Sequence, residues 1–178
     1  MKKISLVILA MVLAITANAQ RYNVGSSYTT TNNYGYQTTT HRNGYGQITG
    51  TSTSSTDCFG NTTTNHRNRY GNSIGTSTSS TDYYGTTTTV HRDSYGNTIG
   101  TAVSDVDCFG NTTTKYRDSR GRSTGSSYTS TDYYGTTTST HRNRSGLTFG
   151  TSTSSTDYFG NRSTQHMSDN ADIDIWSW

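Results

Sequence analysis

The chain contains no proline and no glutamate, and only two of its 178 residues are cysteine. Without proline, nothing but glycine and the short polar residues is left to break the chain into turns. Beyond residue 19, Val, Ile, Leu and Phe together number only 14, far below the share that builds an aliphatic core. This excludes the conventional enzyme folds of this length, which depend on a large buried apolar interior. No basic run exceeds two residues, and past residue 19 basic and acidic side chains nearly cancel. A nucleic-acid partner is therefore not expected.

What the chain has is hydroxyls, glycine and tyrosine, in a strict order. Residues 1–19 stand apart. Lys2 and Lys3 precede an apolar run from Ile4 to Ile15, and Ala17-Asn18-Ala19 offers small residues at the −3 and −1 positions. This is the pattern of a secretory signal peptide cleaved after Ala19. The run is too short to span a bilayer, and no second one follows. The mature chain is expected to have no membrane span and to be secreted or held at a bacterial cell surface.

From there the sequence repeats every 25 residues. Glycines fall at 25, 50, 75, 100, 125 and 150, at 35, 60, 85, 110, 135 and 160, and at 46, 71, 96, 121 and 146; Gly44 alone lies outside these phases. Each unit carries two [DN]-x-x-G stretches, such as Asp57-Cys58-Phe59-Gly60 and Asn68-Arg69-Tyr70-Gly71, in which Asp or Asn bonds the backbone ahead and Gly takes φ > 0. Between them lie Thr-rich stretches, Thr62 to His66 and Ile74 to Thr81, suited to strands. The fold class is all-β: tandem strand–turn–strand units forming a β-solenoid or an antiparallel β-meander. Residues 20–169 hold the six β-hairpin repeats, with registers starting at 25, 50, 75, 100, 125 and 150, and 170–178 form a C-terminal strand or cap.

Residues of equal phase then form ladders. An aromatic one runs through Tyr34, Phe59, Tyr84, Phe109, Tyr134 and Phe159; with so few aliphatics, its stacking, Thr methyls and backbone hydrogen bonds are expected to supply cohesion. A histidine ladder runs through His41, His66, His91, His141 and His166, with Tyr116 in the remaining place and arginines beside it.

At Thr56-Asp57-Cys58-Phe59-Gly60-Asn61-Thr62-Thr63-Thr64 the chain resembles the repeats of curli-type secreted amyloid subunits, in period, turn residues and composition. The resemblance implies an extracellular β-solenoid able to polymerise. The internal Gln and Asn ladders of that family are not matched here, since the mature chain has only Gln20, Gln37, Gln47 and Gln165.

Candidate chemistry is sparse. Ser, His and Asp abound, but no copy of the repeat is set apart by an added acid, base or nucleophile, and a catalytic site requires one distinguished constellation. No enzymatic activity and no cofactor are expected. Histidines one rung apart in a solenoid would lie about 4.8 Å apart, and about twice that in a meander; only the first would suit a bridging metal, and the arginines beside them would repel a cation. Cys58 and Cys108 share a phase two repeats apart, which gives roughly 9–10 Å in a solenoid and roughly 19 Å in a meander, beyond disulfide reach. Candidate ligand faces are the threonine pairs Thr51 and Thr53, Thr76 and Thr78, and Thr151 and Thr153, which a flat sheet would tile into an ice-matching or glycan-binding array. Tyr45, Tyr70 and Tyr95 are further candidates, as rings able to stack on sugars. An outer-membrane barrel is disfavoured because the repeats lack a lipid-facing apolar alternation. The function expected is a secreted, non-enzymatic repeat protein with a structural or adhesive role at the cell surface or in extracellular matrix, with fibril formation as its extension. Its partners would be further copies or an extracellular polysaccharide or surface; the alternative is a monomeric solenoid binding a repetitive ligand.

Overall fold

The computed structural model describes residues 21–169; the signal-peptide and C-terminal cap assignments lie outside the described residues. Twelve antiparallel strands alternate in length: β1 (Tyr22–Thr31), β2 (Gln37–Asn43), β3 (Ile48–Thr56), β4 (Thr62–Asn68), β5 (Ser73–Thr81), β6 (Thr87–Asp93), β7 (Thr98–Val106), β8 (Thr112–Asp118), β9 (Ser123–Thr131), β10 (Thr137–Asn143), β11 (Thr148–Thr156) and β12 (Arg162–Ser168). Each pairs with its chain neighbours, and β1 pairs with β12, so the sheet closes into a barrel. Of the two arrangements expected, the meander is the one formed, and the solenoid is not. No strand lies on another as a coil rung; each repeat is instead one hairpin staved into a wall.

The hairpin loops follow one design. In Asp57–Asn61 the amide of Gly60 donates to the Asp57 carbonyl at 3.1 Å and that of Asp57 to the Asn61 carbonyl at 2.9 Å. The Asp57 side chain accepts from the amides of Phe59 and Asn61, both at 2.9 Å. Gly60 sits at φ +84°, the left-handed position that closes a three-residue hairpin loop. Asn does the same work at Asn32, Asn43, Asn68 and Asn143. The turn glycines and their Asp or Asn partners are thus one device.

The glycine series running from Gly50 to Gly150 answers a different need. At Gly100 an added Cβ would sit 2.7 Å from the Arg117 carbonyl oxygen, and at Gly150 the same distance from that of Met167. These glycines adjoin a bulge repeated in every unit, where Gly75 opposes His66 but Ser73 opposes Arg67, leaving Ile74 extra. There the neighbouring backbone approaches too closely for any side chain.

Register explains closure. The cross-strand partners of Ser27 are His41 and, one strand on, Gly50, two residues short of Ser52, the repeat equivalent of Ser27. Six such steps accumulate a stagger of about 12 residues, equal to the number of strands, for which strand tilt is about 36° and the backbone diameter about 22 Å. The closing pair keeps the internal register: Gly25 opposes His166 and Asn23 opposes Met167, as Gly75 opposes His66 and Ser73 opposes Arg67. Six repeats therefore meet without a seam in the strand pairing.

Along each strand the two faces differ. Gly50, Ser52 and Ser54 with Thr64 and His66 occupy the less exposed one, while Thr53, Thr63, Asn65 and Arg67 are exposed on the other. A closed barrel crowds side chains on its concave face, so the first set lines the lumen. Most lumen residues remain half-buried, and Ala102 is the one buried hydrophobic residue among those described. The interior is lined by hydroxyl and imidazole side chains and is not an apolar core.

Candidate functional site: an inner belt and two unlike rims

The histidines expected to form a ladder lie at one height around the lumen, interleaved with serines. His41 Nε2 meets Ser52 Oγ at 2.8 Å, Ser52 Oγ meets His66 Nδ1 at 2.8 Å, His66 Nε2 meets Ser77 Oγ at 2.8 Å, and Ser77 Oγ meets His91 Nδ1 at 2.8 Å. Across the barrel, His141 Nε2, Ser152 Oγ and His166 Nδ1 continue the pattern at 2.7 Å each. Ser27 holds the equivalent place opposite His41. A neutral imidazole has one N–H and one acceptor nitrogen, and a serine has one O–H. When all these hydrogen bonds run the same way round, with each histidine carrying its proton on the same ring nitrogen, every link is made and every serine proton is used within the belt.

The belt's partly buried position disfavours the charged form of its histidines. Burial pushes the imidazoles of His41, His66, His91 and His141 below their ordinary range, with a neighbouring imidazole adding to the effect at His41 and His91. His166 is lowered furthest, to about 4, by burial and then by His141 and His41.

The belt is edited at one point. Ala102 stands where the other repeats have serine, and its cross-strand partner is Tyr116, which stands where they have histidine. The Tyr116 hydroxyl reaches Ser127 Oγ at 3.0 Å, replacing the Nε2 link, but a phenol ring offers nothing at the Nδ1 position for a serine hydroxyl to meet. Alanine fits there without an unsatisfied O–H. Both exchanges are visible in the sequence, and their pairing was the available signal for the belt.

Above it the lumen carries further rings of paired hydroxyls, such as Ser54–Thr64 at 2.8 Å, Ser79–Thr89 at 2.8 Å and Thr56–Thr62 at 2.9 Å. Cohesion comes from these belts and the backbone ladder.

The aromatic ladder does not supply it. Tyr34, Phe59, Tyr84, Phe109, Tyr134 and Phe159 lie at the tips of the loops on one rim and are 85–89% exposed. They sit in the [DN]-x-x-G turns, whose tips project from the wall, so they do not stack on one another as a core. Locally Tyr83 packs edge-on against Tyr84 and Tyr133 against Tyr134, with ring centroids 5.6 Å apart in each pair, and Tyr158 against Phe159 at 5.7 Å. The result is a crown of aromatic rings on braced loops, with neighbouring tips about 10 Å apart, two strand spacings. The Asp carboxylates beneath three of these tips are held below the usual carboxylate range: at Asp57, Asp107 and Asp157 the first cause is the side-chain amide of Asn61, Asn111 or Asn161.

Tyr45, Tyr70 and Tyr95 occupy tips of the opposite rim and are exposed. That rim is arginine-rich. Arg42, Arg67 and Arg117 fold over its loops and donate to the carbonyls of Gly46, Gly71 and Gly121 at 2.9, 2.7 and 2.9 Å, and the Arg69 guanidinium lies 4.6 Å from the Tyr70 ring centroid. Tyr22 and Ser168, the outer ends of β1 and β12, meet at this rim.

The threonine pairs expected to tile a flat array lie instead on the convex wall. Thr53, Thr78 and Thr153 are exposed there, while Thr51, Thr76 and Thr151 are half-buried. Thr51, Thr76 and Thr151 oppose Arg67, Arg92 and Met167 on the next strand, and Thr53, Thr78 and Thr153 oppose Asn65, Val90 and Gln165. Curvature of the closed sheet and these intervening side chains prevent the flat array that ice matching needs. Cys58 and Cys108 are both free and exposed, at crown tips four strands apart.

A Ser–His pair recurs in the belt, yet the Nδ1 of His66, His91 and His166 faces a serine, not a carboxylate. Among the described residues no cluster of His, Cys, Asp or Glu is placed to hold a metal ion. No helix there is long and apolar enough to cross a membrane. No protein-family model and no curated protein matches this chain.

Proposed function

We propose that this is a secreted, non-enzymatic adhesion module of the cell surface or extracellular matrix, whose aromatic crown binds polysaccharide. The observation that carries the reading is the crown itself: rings 85–89% exposed, each on a loop braced by an Asp or Asn cap. Exposing so many aromatic faces costs solubility and marks an interaction surface. Rings held on rigid tips lose little entropy when they stack on a ligand. Closure of the sheet favours adhesion over edge-to-edge fibril growth, because a barrel has no free strand edge to add to. The wall is also a poor lipid contact, since Thr, Asn65, Lys115 and Gln165 face outward, where a spanning barrel needs an apolar band.

The test is a pull-down with insoluble polysaccharides together with a glycan array, comparing the wild-type chain with the quadruple variant Tyr83→Ser, Tyr84→Ser, Tyr133→Ser and Tyr134→Ser. Each ring removed is expected to weaken retention, and the quadruple variant to lose at least tenfold in affinity while its β spectrum is unchanged. Absence of wild-type binding to every polysaccharide, or equal binding by the variant, rejects the reading.

A further inference from the structure

The two rims of the barrel carry opposite charge. Ten of the eleven arginines, Arg21, Arg42, Arg67, Arg69, Arg92, Arg117, Arg120, Arg122, Arg142 and Arg144, lie at the rim where the outer ends of β1 and β12 meet, and among the described residues only Asp93, Asp118 and Asp169 lie with them. Asp118 and Asp169 are already paired there, with Arg122 at 2.7 Å and Arg21 at 3.4 Å. The crown rim carries Asp57, Asp82, Asp105, Asp107, Asp132 and Asp157, against Arg162 alone. Nothing in hairpin folding requires this sorting, since both loop types use the same Asp-or-Asn cap.

We propose that copies of this chain stack end to end, the acidic aromatic crown of one barrel seated on the arginine rim of the next. Three observations favour a second copy as the occupant. The charges are complementary between unlike rims and repulsive between like ones, which favours a head-to-tail contact over a symmetric dimer through either rim. The rims belong to one barrel and so match in diameter and in their near six-fold spacing of tips. The chemistry also matches: guanidinium groups pair with carboxylates and lie over aromatic faces, as Arg69 does over Tyr70 within one rim.

A wall about 10 Å thick on a diameter of about 22 Å presents an annulus of about 700 Å² at each rim, so one contact would bury about 1,400 Å² in total, within the range of stable specific interfaces. Because the two contact surfaces lie at opposite ends of one axis, the contact is head-to-tail and does not close into a ring; it propagates as a linear stack. This goes beyond the adhesive reading and is compatible with it, since every stack leaves one crown free at its end.

The experiment is sedimentation velocity of the full secreted chain at pH 7.5 in 25 mM and 500 mM NaCl, with electron microscopy of the low-salt sample. Expected are species that lengthen with protein concentration at 25 mM NaCl and return to monomer at 500 mM, where exposed charges are screened. The triple variant Arg69→Glu, Arg120→Glu and Arg144→Glu alters loop-tip arginines that brace no loop carbonyl. It should stay monomeric at low salt with an unchanged β spectrum, yet it keeps an intact crown. Added at one-tenth of the wild-type concentration, it should shorten wild-type stacks by capping them.

A wild-type monomer at 25 mM NaCl up to several hundred micromolar overturns the proposal, as does assembly that stops at a dimer or a triple variant that assembles like wild type. Removing residues 170–178, which follow Asp169 in the sequence and carry Asp172 and Asp174, should leave stacking unchanged. Stacking that appears only after that removal would assign the rim to the chain's own tail and equally overturn the proposal. The polysaccharide test uses crown variants and the stacking test uses arginine-rim variants, so failure of one is distinguishable from failure of the other.

Discussion

Acidification should loosen this barrel as the pH falls from about 6.5 toward 4. A protonated imidazole donates from both nitrogens. With the belt running from His41 to His66, Ser52 accepts from His41 and donates to His66; once His66 is charged, the serine proton has no partner in the belt and the one-way chain breaks, and the opposite direction loses a link in the same way. The sign follows from linkage. A histidine with a folded pKa below its unfolded value of about 6.5 leaves the unfolded chain binding more protons in between, so stability is full above about 6.5 and falls as pH drops toward the folded pKa. For His166, lowered to about 4, the interval corresponds to at most ~3 kcal/mol once pH reaches the folded value, with each pKa unit worth about 1.4 kcal/mol. Its partial exposure reduces this to roughly 2 kcal/mol. His41, His66, His91 and His141 shift in the same direction and add to the slope. The assay is urea unfolding followed by far-UV circular dichroism at half-unit steps from pH 7.5 to 4.5. The midpoint should hold steady down to about 6.5 and then fall continuously, with the denaturant slope unchanged. A midpoint that stays flat to pH 5 would refute the neutral one-way belt.

Tyr116→His and Ala102→Ser should be non-additive: the introduced serine hydroxyl gains an acceptor at the new Nδ1 only when both changes are present, giving a favourable coupling of about 1 kcal/mol in a double-mutant cycle read by urea midpoints. Gly100→Ala should cost about 3 kcal/mol, because the Arg117 carbonyl oxygen lies 2.7 Å from the new Cβ. Gly85→Ala, with open space but φ +85°, should cost about 1–2 kcal/mol, so thermal melts that reverse this order contradict the close-approach account. Asp57→Asn should melt near the wild-type temperature and Asp57→Ala lower, since Asn already caps the equivalent turns at Asn43 and Asn68. Mass mapping of the unreduced protein should find no link between Cys58 and Cys108 within a monomer, their tips being about 19 Å apart at four strand spacings.

The sequence by itself determined the units. A period of 25 residues, two [DN]-x-x-G turns per period and Thr-rich intervals were enough to read all-β hairpins, because side-chain caps and positive-φ glycines act within about five residues of chain. It also left no material for an aliphatic interior. What the tertiary structure decided is how six hairpins are joined. The step of two residues per repeat depends on a bulge beside Gly50 and its equivalents, and periodicity does not reveal a bulge; yet that step sets the tilt and lets β12 meet β1 in the internal register. Closure in turn decides which alternate face is concave. It placed His41, His66, His91, His141 and His166 at one height around the lumen, in hydrogen-bonded arcs with serines eleven or fourteen positions away, and it moved Phe59 and its equivalents from an expected stacked ladder to an exposed crown. The same curvature bent the threonine pairs, Thr76 with Thr78 and Thr151 with Thr153 among them, out of the plane a flat sheet would have given them. Charge sorting was written in the sequence as well, but only the alternation of up and down strands turns Arg at one turn and Asp at the other into two ends of opposite sign.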